Sequence, residues 1–218
     1  VERARSTHCR FILIFSEKRE LVLFYTVCKK LGQPLSRCKY SVTLTGKEYI
    51  PKEGPLILCS NHQRVSDPPL LGCYFPRAIR FMAKSELFTD HGKAAGYFLK
   101  KFGAFPVKRN SSDTASMKIA LELLSQRQVV GIFPQGKCVP PEEPFEAKPG
   151  VVLLAKKSKV PILPVWMRYR EQQGVRQSVT IRIGQPISYD TLRCSGTIRE
   201  MTQSLTQVMN QLGGGQNA

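Results

Sequence analysis

The sequence predicts an α/β domain, and three observations carry that prediction. Short apolar runs of strand length recur along the chain: Leu56 to Cys59, Ile79 to Ala83, Val129 to Ile132 and Val160 to Val165. Helical stretches separate them, the clearest being Ser111 to Gln126, where Met117, Ala120, Leu121 and Leu124 fall on one stripe. The chain is 218 residues long with 42% apolar residues, enough for one domain with a sizeable core. Strands alternating with helices in this way mark the α/β class.

Taken in order, residues 9 to 31 read as helical, with Gly32 and Pro34 ending the helix. Its two apolar blocks carry Phe and Tyr and are flanked by Arg and Lys. That pattern suits a segment lying in a membrane interface, and it equally suits a helix docked on the core. Val42 to Thr45 alternates as a strand, and Lys52-Glu53-Gly54-Pro55 is a turn. Leu56 to Cys59 is a buried strand that runs into Ser60-Asn61-His62-Gln63-Arg64-Val65-Ser66-Asp67, and Pro68-Pro69 suits the first turn of the next helix. Ile79 to Lys84 is a strand, Ala94 to Phe102 a helix, and Gly103 to Arg109 a short strand emerging into two cations, Lys108 and Arg109. Ser111, Ser112 and Asp113 are capping candidates for the following helix. Val129 to Ile132 is a buried strand leading to Phe133-Pro134-Gln135-Gly136-Lys137-Cys138, and an apolar helix follows Lys148-Pro149-Gly150. The two prolines of Val160 to Val165 place that strand near an edge or at a bulge. Val179 to Ile183 is a late strand, a helix runs from about Thr197 to Leu212, and the tail beyond is frayed.

Charge narrows the partners. The chain has 33 Lys and Arg against 16 Asp and Glu, a net +17, so an anionic partner is expected, either nucleic acid or an acidic membrane surface. No RNA-recognition aromatic signature or helix-turn-helix is present, and the cations flank apolar aromatic blocks, so no specific nucleic acid is expected. The seven cysteines show no C-x-x-C pair and no Cys/His ligand spacing, so no metal site is expected and reduced thiols are. No signal peptide is evident, and no apolar run reaches the roughly 20 residues of a membrane-spanning helix.

The chemistry concentrates at His62 and Asp67. An imidazole takes a proton near neutral pH, and a carboxylate beside it fixes the tautomer and stabilises the imidazolium. Arg109 offers a planar fork to a phosphate, Gly136 admits close backbone approach, and Lys137 and Lys148 can neutralise an anion, Lys148 just before a helix start. His8 and His91 have no such partner pattern.

Four blocks in order resemble the glycerolipid acyltransferases of the 1-acylglycerol-3-phosphate acyltransferase type. Asn61-His62 with Asp67 matches the NHx4D block, and Gly103 to Arg109 resembles the second. Phe133-Pro134-Gln135-Gly136 resembles the FPEG block, and Val160 to Val165 the apolar, proline-containing fourth. Lys148-Pro149-Gly150 sits where the family has a Lys-x-Gly segment. The resemblance implies a mixed central sheet flanked by helices, the glycerol-3-phosphate acyltransferase-like fold, over residues 36–212. An N-terminal membrane-interfacial segment (1–35) would precede it and a flexible tail (213–218) follow. It implies acyl transfer from acyl-CoA or acyl-carrier protein to a lysophospholipid hydroxyl at the cytoplasmic face of a membrane, with no cofactor. His62 would be the general base and Asp67 its orienting carboxylate. Asn61, Lys108, Arg109, Gln135, Gly136, Lys137 and Lys148 would contact substrate, with capping or bracing of the loop the other reading of Asn61. Acyl transfer from a thioester needs a base on the alcohol but no activated Ser or Cys, and no G-x-S-x-G elbow is present, so direct attack by the acceptor is expected. Two departures stand out: Gln135 replaces the usual Glu, and Gly136-Lys137-Cys138 replaces Gly-Thr-Arg. They leave open another lyso-lipid acceptor, or an inactive basic lipid-binding relative.

Overall fold

The computed structural model describes residues 23–90, 92–107, 114–170 and 176–214. A helix α1 covers residues 23–39. After it come β1 (Tyr40–Thr45), β2 (Leu56–Ser60), α2 (Asp67–Tyr74), β3 (Ile79–Lys84), α3 (Gly92–Lys101) and β4 (Phe105–Val107). The second half comprises α4 (Thr114–Ser125), β5 (Val129–Ile132), α5 (Gly150–Ser158), β6 (Ile162–Arg170), β7 (Gln177–Ile183), α6 (Tyr189–Arg193) and α7 (Ile198–Gly213). The strands form one seven-stranded sheet in the order β1-β7-β6-β2-β5-β3-β4. Every pairing is parallel except β6 with β7, so the sheet is mixed, as expected.

β2 lies inside the sheet, and all five of its residues are buried. Strand alternation sends its side chains to two cores. Ile57 and Cys59 join Ala120 and Leu124 of α4, Val151, Val152 and Ala155 of α5, and Met201, Leu205 and Met209 of α7. Leu56 and Leu58 join Leu70 and Leu71 of α2 and residues of β1, β6 and β7 on the opposite face. A sheet covered on both faces explains why β2 reads as an unbroken apolar run. α7 buries Met201, Leu205 and Met209 at intervals of four, and a capping box between Thr197 and Glu200 starts it. The tail beyond residue 214 and the capping candidates Ser111 to Asp113 lie outside the described residues.

Two expectations are corrected. The first helix does not end at Gly32 and Pro34 but continues through them to residue 39. Gly32 is where α1 meets α2, and a Cβ there would lie 2.7 Å from Cys73 Sγ. Beside it, Gln33 Nε2 donates to the Cys73 carbonyl at 2.8 Å, and the Ser36 and Tyr74 hydroxyls sit 3.0 Å apart. Packing against α2 therefore outweighs the local breakers. The second correction concerns the proline-containing strand. β6 is interior, between β2 and β7, and it extends to Arg170 instead of stopping at Val165. Pro164 is tolerated because its nitrogen faces the β7 side just past the last residue pair there, Val165 with Ile183. Its carbonyl still accepts from Gly184 N–H at 2.9 Å.

α1 settles part of its own ambiguity. Tyr25 is buried, its hydroxyl donates to the Ile79 carbonyl, and Phe24 packs edge-on against Phe102. One face is thus docked on the domain. Leu23, Val27, Leu31 and Leu35, spaced by four, form an exposed apolar stripe on the same helix. The first 22 residues of the expected interfacial segment lie outside the described residues.

Candidate active site

Strands β2, β3, β4, β5 and β6 run in the same direction, and the loops leaving the C-terminal ends of β2 and β5 meet. That edge is where open α/β sheets bind ligands. The loop after β2 is braced at its base. Asn61 is buried, and its side-chain amide pairs with the backbone of Met167 in β6: Nδ2 donates to the carbonyl at 2.9 Å, and Oδ1 accepts the N–H at 2.7 Å. Both polar atoms are consumed and the side chain is 2% exposed. Asn61 is therefore a structural brace, the second of its two expected roles, and not a substrate contact. Asn61→Ala would leave two buried Met167 groups unpartnered, at about 1–3 kcal/mol each. The expected result is a lower urea midpoint with an unchanged slope; an unchanged midpoint would contradict the brace.

One residue on, the chain reaches His62. Its Nδ1 lies 2.9 Å from Asp67 Oδ2. Asp67, at the start of α2 with Pro68 and Pro69 behind it, is completely buried. Oδ2 also accepts from the backbone N–H groups of Gln63 at 2.7 Å and Arg64 at 2.8 Å, and Oδ1 accepts from the Tyr169 hydroxyl. Burial, together with the Asp67 charge, pushes the Tyr169 phenol well above its usual range, which keeps it a donor. The carboxylate is surrounded by donors, so Nδ1 of His62 carries the proton and Nε2 presents a lone pair. The ring is 15% exposed. Phe133 stacks on it with centroids 4.2 Å apart, and Phe81 backs Phe133 at 5.6 Å.

The β5 loop closes over the other side. Gln135 Oε1 accepts the His62 backbone N–H at 2.9 Å, and the His62 carbonyl accepts from Val139 N–H at 2.8 Å. Gln135 is buried, and its carbonyl oxygen joins the two loops. Gly136, at φ 74°, closes a turn in which its N–H donates to the Phe133 carbonyl. Lys148 is tied to that turn, since its backbone N–H donates to the Pro134 carbonyl at 3.1 Å and its ammonium runs alongside Gly136. Lys137 and Lys148 are both exposed. Lys108 and Arg109 lie outside the described residues, directly after Val107, which ends β4. Among the described residues no group of three His, Cys, Asp or Glu side chains could hold a metal ion.

Three neighbours of the dyad were not singled out from sequence. Tyr169 lies in the extension of β6, where Met167 and Tyr169 alternate with Arg168 and Arg170, a strand signal that the prolines upstream obscure. Phe133 carries no signal of its own beyond the Phe-Pro-Gln-Gly block. Arg64 stacks on the Tyr169 ring at 4.4 Å and donates to Gln177 Oε1 at 2.6 Å. Both line a cavity of about 350 Å³ beside the His62 loop, together with Gln63, Pro141, Glu142 and Gln177.

The sequence model of the Acyltransferase family matches residues 41–168, more than half of the chain, and that span holds His62, Asp67 and the β5 loop, with Tyr169 one residue beyond it. The chain belongs to the acyltransferase family. It is 29% identical over 197 residues to the 1-acyl-sn-glycerol-3-phosphate acyltransferase of Bacillus subtilis, covering 86% of this chain and 96% of that one. It is 30% identical over 143 residues to the 1-acyl-sn-glycerol-3-phosphate acyltransferase of Streptococcus pneumoniae, covering 63% of this chain and 52% of that one. The crystal structure of the 1-acyl-sn-glycerophosphate acyltransferase PlsC from Thermotoga maritima superposes with a TM-score of 0.73 at 20% identity, over 95% of this chain and 88% of that chain. That acyltransferase shares the mixed α/β fold described above.

Proposed function

We propose that this chain transfers a fatty acyl group from the thioester of acyl-CoA or acyl-carrier protein to the free hydroxyl of 1-acyl-sn-glycerol-3-phosphate, giving phosphatidic acid. The observation that carries the proposal is the part-exposed imidazole of His62, with Nδ1 held by buried Asp67 and Nε2 directed away from it, beside the exposed Cys138 thiol at 3.4 Å. Nε2 takes the proton of the acceptor hydroxyl as its oxygen attacks the thioester carbonyl. The tetrahedral intermediate then expels the carrier thiolate, which receives that proton from the imidazolium. Asp67 lowers the cost of the charged ring. The names carried by the Bacillus and Streptococcus relatives supply the acceptor.

Lys137 and Lys148, with Lys108 and Arg109, would hold the acceptor's phosphate. Because Gln135 is engaged with backbone, head-group choice rests on these cations. A thiol-release assay with acyl-CoA and a panel of lyso-lipids tests the assignment. Lysophosphatidic acid should be the best acceptor. A faster reaction with lysophosphatidylcholine would overturn the head group, and no acceptor-dependent thiol release would overturn the enzyme.

The acceptor is a membrane lipid, and the protein would work as a peripheral or monotopic protein at the cytoplasmic face. No described helix is long and apolar enough to cross a membrane. The exposed stripe of α1 suits shallow insertion, with Lys30, Arg37 and Lys39 exposed on the same helix. Burying a Leu yields about 1.5–3 kcal/mol. Leu31→Glu with Leu35→Glu should therefore weaken co-sedimentation with anionic vesicles at least about tenfold without altering the thermal transition. Equal binding by the variant would remove α1 from the membrane contact.

A further inference from the structure

The residue that stands where the family pattern has Arg is Cys138, and the structure gives its thiol a partner. The bond from Val139 N–H to the His62 carbonyl staples the β5 loop to the base's own backbone. Cys138, one position earlier, then sits with Sγ 3.4 Å from His62 Nε2. Nε2 is the nitrogen that Asp67 does not hold, since the carboxylate takes Nδ1 at 2.9 Å. Carboxylate, imidazole and thiol therefore stand in series, the arrangement that activates a sulfur nucleophile. The side chain is exposed, so a carrier-bound acyl group can reach it. The other described thiols differ. Cys59 is buried and pushed up to about 12, and burial also raises Cys28 and Cys73. Cys38 and Cys194 are exposed, but each donates only to a backbone carbonyl of its own helix or preceding turn.

We propose that Cys138 is a second acyl acceptor of this site, taking the acyl group from a thioester donor when no lysolipid hydroxyl occupies His62. The donor class rests on the function proposed above. Nε2 removes the Sγ proton, and Sγ attacks the thioester carbonyl. The bond from carbonyl carbon to carrier sulfur breaks, and the imidazolium returns its proton to the departing thiolate. One thioester replaces another, so no oxidant, reductant or further reactant enters. The products are S-acyl-Cys138 and the free carrier thiol. Hydroxyl and thiol compete for one nitrogen, so lysolipid suppresses the adduct. The direct attack on the donor thereby gains a covalent side branch that the sequence blocks do not indicate.

The test incubates the full chain with palmitoyl-CoA, and in parallel with palmitoyl-acyl-carrier protein, without acceptor, followed by intact-mass and peptide mass spectrometry. The expected result is one palmitoyl group, released by neutral hydroxylamine, mapped to Cys138 and absent from Cys138→Ser. It should form at least about tenfold more slowly in His62→Gln and be suppressed by lysophosphatidic acid; the responding donor identifies the carrier. Acylation spread equally over Cys38 and Cys194, or unchanged in His62→Gln, overturns the proposal. So does the absence of an adduct with both donors. Acceptor-dependent thiol release measured on the same preparation separates the two proposals. Release without an adduct leaves the enzyme standing and removes Cys138. An adduct without such release upholds Cys138 and removes the lysolipid reaction.

Discussion

His62→Ala is expected to lower kcat for acyl transfer by about 10²–10⁴-fold, the usual contribution of a general base, with KM nearly unchanged. The loop itself should survive the change. Its backbone bonds to Gln135 and Val139 belong to the His62 main chain, not to its ring. What disappears is the nitrogen that takes the acceptor proton, along with one stacking face of Phe133. Initial rates of thiol release against lysophosphatidic acid concentration measure the effect, with a thermal transition as the folding control. A variant within threefold of the parent would remove His62 from the chemistry.

Asp67→Asn is expected to cost about 10²-fold in kcat, less than the roughly 10⁴-fold seen where an Asn forces the wrong histidine tautomer. The difference follows from the donors around the carboxylate. The Gln63 and Arg64 N–H groups both point at Oδ2, so an Asn must place its oxygen there. That orientation still accepts from His62 Nδ1 and preserves the tautomer. The NH2 group then faces Tyr169, whose hydroxyl can turn its proton toward Ser66 Oγ, 3.3 Å away. Only the charge is lost, and a hydrogen bond to a charged group contributes about 1.5–3 kcal/mol. Asp67→Ala, by contrast, leaves several donors aimed at nothing and should destabilise the fold as well. Rates within threefold of the parent in Asp67→Asn would show that the carboxylate's charge does not assist His62.

The parts legible in sequence are those whose physics is local. A five-residue step from His62 to Asp67 through a tight loop, closed by Pro68 and Pro69, can be read from neighbours alone. So can the unbroken apolar run of β2 and the four-residue stripe of α7. The parts that misled depend on partners far along the chain. Gly32 and Pro34 look like helix stops until α2 is in place, with Cys73 against Gly32 and its carbonyl bonded to Gln33. Pro161 and Pro164 point to an edge or a bulge, and the edge is excluded only once β6 is seen between β2 and β7, whose residue pairing with it ends at Val165. Asn61 looks like a ligand contact until Met167, 106 positions away, takes both of its amide atoms. Tyr169 carries no motif at all; its role is set by the neighbour that the sheet order gives it.

The place of β2 in the sheet also sets when the site can come into being. Both of its neighbours are made after it, β5 first and β6 later still. At typical elongation rates of about 5–20 residues per second, the gap between Asn61 and Met167 amounts to roughly 5–20 s of synthesis. Until then a strand whose residues all end up buried has an open edge, and the loop that carries the base lacks its brace. The brace of the dyad therefore waits for β6, and a chain interrupted before Met167 would carry the His62–Asp67 sequence without the partner that Asn61 needs.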